Sequence, residues 1–152
     1  MARSDTSATV MEVTITHPDR VLWPDGGDGK PVTKLDLAHY FGAAADRIMP
    51  HVEGRPLSLV RMPGGIDGKR FFQRHPGKGA PPLIAEARVG ARGKPYMQID
   101  SPEALAALAQ WGAVELHPWN CRPNAPDTPG RLIFDLDPDE ALRFPEVITA
   151  AC

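Results

Sequence analysis

The stretch TKLDLAHYFGAAADRIMP, residues 33–50, followed after six residues by LSLVR, residues 57–61, decides the fold. Thr33 can cap a helix, and Asp36 three residues later completes a variant of the capping box. Pro50 is predicted to end this helix, and the apolar run at 57–61 predicts a strand. Apolar residues recur at helical spacing along one face of the helix, namely Leu37, Tyr40, Phe41, Ala44, Ala45, Ile48 and Met49.

Shorter elements of both kinds alternate along the rest of the chain. A long loop is predicted to join strands 57–61 and 70–74 into a hairpin. The fold class is therefore α+β (mixed α/β), with residues 1–11 as a disordered tail and residues 12–152 as one unit. The predicted strands cover residues 12–16, 57–61, 70–74, 95–99, 114–117 and 131–137, and the last is the most regular. The predicted helices cover residues 33–50 and 101–111, and a third begins at Phe144.

The composition is that of a soluble globular protein, with 42% hydrophobic and 24% charged residues. The 17 prolines and 14 glycines favour many turns and argue against a helix bundle. No apolar run follows the amino terminus or reaches the roughly 18 residues of a membrane span, so neither a signal peptide nor a membrane partner is predicted. Cys121 and Cys152 form neither a metal-binding pair nor a disulfide framework, which predicts a reducing, cytoplasmic location.

The net charge of −2 conceals a strong asymmetry along the chain. Residues 55–94 contain nine Lys or Arg and two acids, a balance of +7, so the remaining residues, with 8 bases and 17 acids, carry −9. A basic block beside an acidic one suits a site that holds phosphates on one side and a metal on the other. A solvated basic loop is the alternative interpretation of the same charges.

The sequence Asp135-Leu136-Asp137 is the first candidate for chemistry. In a strand, positions two apart lie on the same face, so both carboxylates would face away from the apolar side chains. Two neighbouring carboxylates repel each other unless a cation lies between them, and oxygen ligands suit Mg²⁺ or Mn²⁺. The same pattern also occurs by chance, in sugar-nucleotide transferases and in calcium-binding loops.

Basic and aromatic residues in the predicted hairpin form the second candidate. The hairpin would bring Arg61 and Arg74 near each other, and paired guanidinium groups can clamp a triphosphate. Phe71 and Phe72 would point to opposite faces, with one ring in the core and the other free to stack on a base. The alternative is a surface hairpin in which both rings are packed.

Three further residues are candidates because of their positions. His117, just after a short strand, could contact a phosphate or support a metal ligand, although a lone histidine is more often structural. Arg20 lies near a predicted turn. Lys34 lies in the first turn of a helix, where backbone N–H groups already favour anions. Ordinary solvated charge is the alternative for Arg20 and Lys34.

Together these segments resemble the polymerase domain of bacterial DNA ligase D, a member of the archaeo-eukaryotic primase superfamily. Seven stretches match in the family's order, which makes the resemblance specific, and they cover nearly the whole chain beyond the tail. They are Thr16-His-Pro-Asp-Arg-Val-Leu-Trp-Pro24, Thr33-Lys34, Gly54-Arg-Pro-Leu, Val60-Arg61-x-Pro-x-Gly, Phe71-Phe-Gln-Arg-His75, Glu115-Leu-His117-x-Trp119 and Arg131-Leu-x-Phe-Asp-Leu-Asp-Pro138.

The resemblance implies a DNA repair polymerase and primase that acts in non-homologous end joining by metal-dependent nucleotidyl transfer, favours Mn²⁺ over Mg²⁺ and works with the Ku protein. It implies a nucleoid-associated protein whose substrates are DNA ends with a 5′-phosphate and nucleoside triphosphates. The implied catalytic residues are Asp135, Asp137 and His117, with both aspartates as metal ligands. The implied nucleotide or template contacts are Arg61, Phe71, Phe72 and Arg74, and the implied 5′-phosphate contacts are Arg20 and Lys34.

The sequence also departs from the family's pattern. Arg20 and Arg74 stand where the family commonly has Lys, which keeps the charge but changes its geometry. The third catalytic aspartate and a later phosphate-binding segment find no match, so we expect the carboxy-terminal half of the fold to be missing and the chain by itself to have little activity. The alternatives are a non-catalytic DNA-end-binding module, a split-gene fragment that needs a separate carboxy-terminal half or ligase domain, and an unrelated sugar-nucleotide enzyme.

Overall fold

A computed structural model describes residues 6–90 and 93–152 of the chain. Among these residues, the helices are all too short or too polar to cross a lipid bilayer. The strands are β1 (Ser7–Val10), β2 (Val13–Thr16), β3 (Val21–Trp23), β4 (Val32–Thr33), β5 (Leu57–Arg61), β6 (Phe71–Gln73), β7 (Ala85–Ala87), β8 (Tyr96–Gln98) and β9 (Ala113–Pro118). The helices are α1 (Lys34–Val52), α2 (Pro102–Gln110) and α3 (Phe144–Ala151). This mixture confirms the predicted α+β class.

Helix α1 begins where the sequence predicted and ends later. The hydroxyl of Thr33 accepts from the backbone N–H of Asp36, and the Asp36 carboxylate accepts from the Thr33 N–H at 2.8 Å, so the capping box is confirmed. Pro50 does not end the helix, which continues to Val52. A proline so close to the end removes only a single backbone hydrogen bond of the last turn, and packing of the buried Val52 offsets that loss.

The largest sheet has five strands with β5 at its centre. Strand β5 pairs antiparallel with β9 along one side, and with β6 and β8 along the other. Strand β7 extends the sheet beyond β8. The antiparallel pairing of β5 with β6 confirms the predicted hairpin. Two smaller sheets pair β1 with β2 and β3 with β4.

The core lies between one face of the large sheet and helices α1 and α2, which pack against each other. Six consecutive residues of α2, Ala104 to Ala109, are buried, and the four alanines among them let the neighbouring elements approach closely. The predicted face of α1 is mostly correct, but Tyr40 is 61% exposed and does not belong to the core.

Two predicted features of the chain's ends are also wrong. Residues 131–137 form no strand, and Leu132, Phe134 and Leu136 are exposed, because the described residues provide this segment with no hydrogen-bonded neighbour strand. The predicted disordered tail over 1–11 is wrong for residues 7–10, which form β1. The turn after β1 holds Met11 and Glu12 at positive φ without the glycine or asparagine that usually signals such a hairpin. Residues 1–5 of the tail lie outside the described residues.

Candidate functional site

One face of the large sheet carries exposed aromatic, acidic and histidine side chains. Val60 of β5 lies between Phe72 of β6 and Glu115 of β9, and His117 pairs with the neighbouring Ser58. Residues paired across a sheet point to the same face, so Phe72, Glu115 and His117 share one surface. We call this surface, together with Arg70 and Arg74, the open face.

Glu115 connects two parts of the open face. Its Oε2 lies 2.9 Å from Nε2 of His117, and its Oε1 accepts from the Arg70 guanidinium at 3.2 Å. A carboxylate accepts but does not donate, so the proton in the first contact belongs to His117. Glu115 therefore holds a cation from the β6 side of the sheet and an imidazole from β9 at the same time.

The two phenylalanines of β6 lie on opposite faces, as predicted, but neither is in the core. Phe71 is 41% exposed and Phe72 is 56% exposed, so the expectation that one ring packs inside is wrong. The Arg74 guanidinium lies 5.4 Å from the centre of the Phe72 ring, and the rings of Phe72 and His117 meet edge to face at 6.1 Å. The Phe72 ring thus keeps much of its surface free for a further planar partner.

Arg61 does not lie beside Arg74, although the hairpin forms. Its guanidinium stacks 3.8 Å from the centre of the Trp111 ring, and Nε and Nη2 donate to the Trp111 carbonyl at 3.0 and 2.9 Å. Nη1 donates to Gln73 at 2.8 Å, and Gln73 points away from the face that carries Phe72. Burial lowers the pKa of Arg61 below its usual value. Arg61 is therefore bound within the fold, on the face opposite Arg74.

Arg20 and Lys34 are brought together at the start of α1. The backbone N–H of Lys34 donates to the Arg20 carbonyl at 2.8 Å. The Lys34 ammonium group is buried and donates to the Thr16 carbonyl at 2.8 Å. Burial lowers the pKa of Lys34, and the positive charge of Arg20 lowers it further. The two cations thus lie in one small region, and their role as a phosphate contact stays a prediction from the resemblance.

Asp135 and Asp137 are exposed and lie in the segment 131–137, which belongs to no strand. Their carboxylates are ligands that Mg²⁺ or Mn²⁺ prefers. Within residues 6–90 and 93–152, however, no group of three or more His, Cys, Asp or Glu side chains is placed to hold a metal ion. In the described part of the chain, Asp135 and Asp137 therefore form no metal-binding group with a third such side chain, and the structure does not bring the two aspartates to His117.

The sequence reasoning missed three residues of this region. Glu115 belongs to the motif that contains His117, Arg70 to the basic block 55–94, and Trp111 to the end of the predicted helix 101–111. The sequence predicted no role at the site for any of them. The spacing of Glu115 and His117 in one strand could have indicated a shared face. The contact between Glu115 and Arg70 depends on strand order, which local sequence patterns do not contain.

Comparison with known proteins agrees with this geometry. Residues 33–152 match the family described as "LigD, primase-polymerase domain". The chain belongs to this family. The LigD resemblance stated from seven short stretches is thereby confirmed. The multifunctional non-homologous end joining protein LigD of Pseudomonas aeruginosa is 36% identical over 145 residues, which are 94% of this chain and 17% of that protein.

A second LigD relative and a solved structure extend the comparison. The LigD protein of Mycobacterium tuberculosis is 36% identical over 155 aligned residues, covering 95% of this chain and 20% of that protein. The polymerase domain from Mycobacterium tuberculosis ligase D in complex with DNA matches with a TM-score of 0.63 and 37% identity, over 72% of this chain and 38% of that one. The chain thus spans about a fifth of the length of these relatives, and its fold is that of the LigD polymerase domain.

Proposed function

We propose that this chain contributes to a LigD-type DNA repair polymerase that acts at DNA ends in non-homologous end joining. The single observation that carries the proposal is the open face, where Phe72, Arg74 and His117 stand exposed side by side on a rigid central sheet. A planar ring flanked by a guanidinium suits a stacked base with its phosphate. The family match and the DNA bound to the similar polymerase domain support this assignment.

The residues of the open face receive distinct roles in this proposal. Phe72 stacks on a base of the template or of the incoming nucleoside triphosphate, and Arg74 contacts its phosphates. Phe71 lies on the other face, where Lys69 is 5.1 Å from its ring centre, so we assign it a peripheral contact. Arg61 lies on the opposite face of the sheet, where it stabilises the sheet through Trp111 and Gln73 and does not contact the nucleotide directly.

We propose that Arg20 and Lys34 bind the 5′-phosphate at a DNA break. Arg20 remains exposed, and one of its Nη1 protons is used by the carbonyl of Pro63 at 3.0 Å. Lys34 lies in the first turn of α1, at the positive end of the helix dipole, which favours an anion. The two positive charges disfavour each other without a ligand, so a phosphate dianion would stabilise both.

We propose that residues 131–137 become a strand of the large sheet in the active protein. The strand β9 has an edge that pairs with no other strand in the described part of the chain. An apolar groove beside it, lined by Phe41, Ile48, Val114 and Leu116 among others, is open to solvent. The start of the segment already lies near the end of β9, because the Gly130 N–H donates to the carbonyl of Asn120 at 2.8 Å.

Docking in this way would bring the acidic pair to the open face. With Leu132, Phe134 and Leu136 in the groove, strand alternation directs Asp135 and Asp137 to the side of His117. There the two carboxylates would hold Mn²⁺ or Mg²⁺, which supplies charge neutralisation for nucleotidyl transfer. We further propose that another acidic side chain, from a segment or polypeptide outside the described residues, completes the metal site. Little extension is then expected from this chain by itself. Ku and a ligase domain remain proposed partners.

The first test compares gapped duplexes that differ only at the 5′ end of the gap. We expect the chain to bind the 5′-phosphate form about tenfold more tightly than the 5′-hydroxyl form, since a charge-assisted contact is worth about 1.5 kcal/mol. Arg20→Gln should remove most of this preference, and Arg143→Gln, which removes an equal charge from exposed α3, should not. Equal binding of both duplexes by the folded chain would refute the end-recognition part of the proposal.

A non-catalytic end-binding module is the second candidate, and it is favoured by the fact that Arg20 and Lys34 are already assembled whereas the acidic pair is not. Primer extension with Mn²⁺ on the same gapped duplex separates the two functions. Extension that Asp137→Asn abolishes would establish catalysis by this chain. Binding with a 5′-phosphate preference but no extension, even when the rest of a LigD polymerase domain is added, would establish the binding module.

A further inference from the structure

Three arginines converge where β5 begins and β9 ends. Arg55 is buried, with an exposed fraction of 9%, and its Nη1 donates to the carbonyl of Trp119 at 3.2 Å. Nη1 of Arg122 donates to the carbonyl of Glu53 at 3.3 Å. Together with Arg131, these residues come from three separate parts of the chain, and we call them the arginine cluster.

Arg131 completes the cluster from the start of the extended segment. Its Nε donates to the side-chain oxygen of Asn120 at 3.3 Å, and its Nη1 lies 3.5 Å from Nδ1 of His51. Every hydrogen-bond partner recorded for the cluster is thus a carbonyl, an amide or an imidazole ring. Several N–H groups of the three guanidinium groups remain available, since each guanidinium has five.

The cluster forms no ion pair with a carboxylate in the described part of the chain. Within residues 6–90 and 93–152, no aspartate or glutamate forms an ion pair with Arg55, Arg122 or Arg131. Burial lowers the pKa of Arg55, and the positive charges of Arg131 and Arg122 lower it further. A buried cation surrounded by like charges is costly unless an anion neutralises it.

One donor of the cluster has no partner, and the backbone beside the cluster carries no side chains at two positions. Nε of Arg55 is buried and has no hydrogen-bond partner. Two glycines border the guanidinium groups: a Cβ at Gly54 would collide with Nη1 of Arg122, and a Cβ at Gly130 would lie 3.6 Å from Nη2 of Arg55. The absence of side chains at these two positions lets the guanidinium groups of Arg122 and Arg55 approach the backbone there.

We propose that the arginine cluster is a binding site for a phosphate group. A planar guanidinium group can donate two parallel hydrogen bonds to the oxygens of a phosphate. Three guanidinium groups together carry more positive charge than a neutral ligand would require. The cluster lies at the end of the same sheet as the open face, because Leu57 pairs with Pro118 and Ser58 with His117. Arg122 and Arg131 contact residues at the end of α1, so a nucleic-acid strand that crosses the open face and continues past this end of the sheet would reach the cluster. The backbone phosphate of such a strand is the assigned source. That source, but not the phosphate site itself, rests on the proposed function.

The test uses the full chain with two ligands, inorganic phosphate and a gapped duplex with a 5′-hydroxyl, which does not engage the 5′-phosphate contact of Arg20. Arg122→Gln and Arg131→Gln are compared with Arg143→Gln, which removes an equal charge from α3. We avoid substituting Arg55, because its burial makes a folding defect the expected result. Titration calorimetry measures phosphate affinity, and fluorescence anisotropy at several salt concentrations measures DNA affinity.

We expect Arg122→Gln and Arg131→Gln each to weaken phosphate binding about tenfold relative to the control variant, as the loss of one charged hydrogen-bonding group predicts. Each should also reduce the slope of DNA affinity against salt by about one ion. Weaker phosphate binding with unchanged DNA binding would keep the site and assign free phosphate or nucleotide as its source. Phosphate and DNA affinities equal to those of the control would overturn the proposal. If neither gapped duplex binds the folded chain, while phosphate binding is intact and is weakened by both substitutions, only the proposed function is refuted.

Discussion

Replacing Arg61 by methionine tests whether this arginine supports the fold or mainly serves a ligand. The guanidinium satisfies two acceptors, the Trp111 carbonyl and the Gln73 side chain, and stacks 3.8 Å from the Trp111 ring centre. Hydrogen bonds from a charged donor contribute roughly 1.5 kcal/mol or more each, and a partly exposed cation–π contact contributes about 0.5–1 kcal/mol. Methionine keeps part of the packing against Trp111, so the net loss should be about 3 kcal/mol.

The matched control is Arg74→Met on the open face. Arg74 is exposed, and its recorded contact is the Phe72 ring at 5.4 Å, so its loss should cost about 0.5 kcal/mol. Urea denaturation followed by tryptophan fluorescence and circular dichroism gives both free energies of unfolding. The Arg61→Met variant should also melt roughly 6–12 °C lower than the wild-type chain. If the two variants differ by less than about 1 kcal/mol, the structural assignment of Arg61 is wrong.

Three further predictions concern a glycine, a buried lysine and an acidic side chain. Gly112→Ala should lower stability by about 2–3 kcal/mol, because Gly112 has φ +80° and a Cβ would lie 2.9 Å from a neighbouring backbone atom. Folding lowers the pKa of Lys34. As pH approaches the ordinary lysine value of about 10.4, the unfolded chain therefore binds more protons at this residue than the folded chain does. The free energy of unfolding of the wild-type chain should therefore rise with pH relative to that of Lys34→Met. Glu115→Gln should cost no more than about 1 kcal/mol, since its ion pair is largely exposed, yet shift the NMR signals of the His117 ring.

Each of these predictions has its own control. Gly29→Ala introduces the same strain at φ +77° with no atom within 4 Å, so it should be milder, and equal losses would contradict the steric argument. Parallel pH profiles for the wild-type chain and the Lys34 variant, measured by urea denaturation between pH 8 and pH 10, would contradict the effect of burial on its pKa. Unchanged His117 signals in the Glu115 variant would show that the 2.9 Å contact does not persist in solution.

The sequence by itself determined the elements whose information lies within a few residues. The capping box of α1, the apolar face of that helix and the β5–β6 hairpin follow from local spacing, because these interactions join residues that are near in the chain. Order also mattered: seven short motifs in sequence identified the LigD polymerase family before any geometry was known. Arg20 and Lys34 were paired only through the resemblance to that family.

Only the tertiary structure decided which side chains meet across strands. Arg61 and Arg74 belong to the same hairpin, yet the register of β5 and β6 directs them to opposite faces, and a shift of one residue would reverse that result. Glu115 reaches Arg70 because β9 and β6 flank the same central strand. Apolar and polar side chains alternate along residues 131–137 as they do in a strand, but this alternation indicates only which face of a strand would be buried. A strand forms when another backbone satisfies its N–H and carbonyl groups, and that partner is a property of the whole fold.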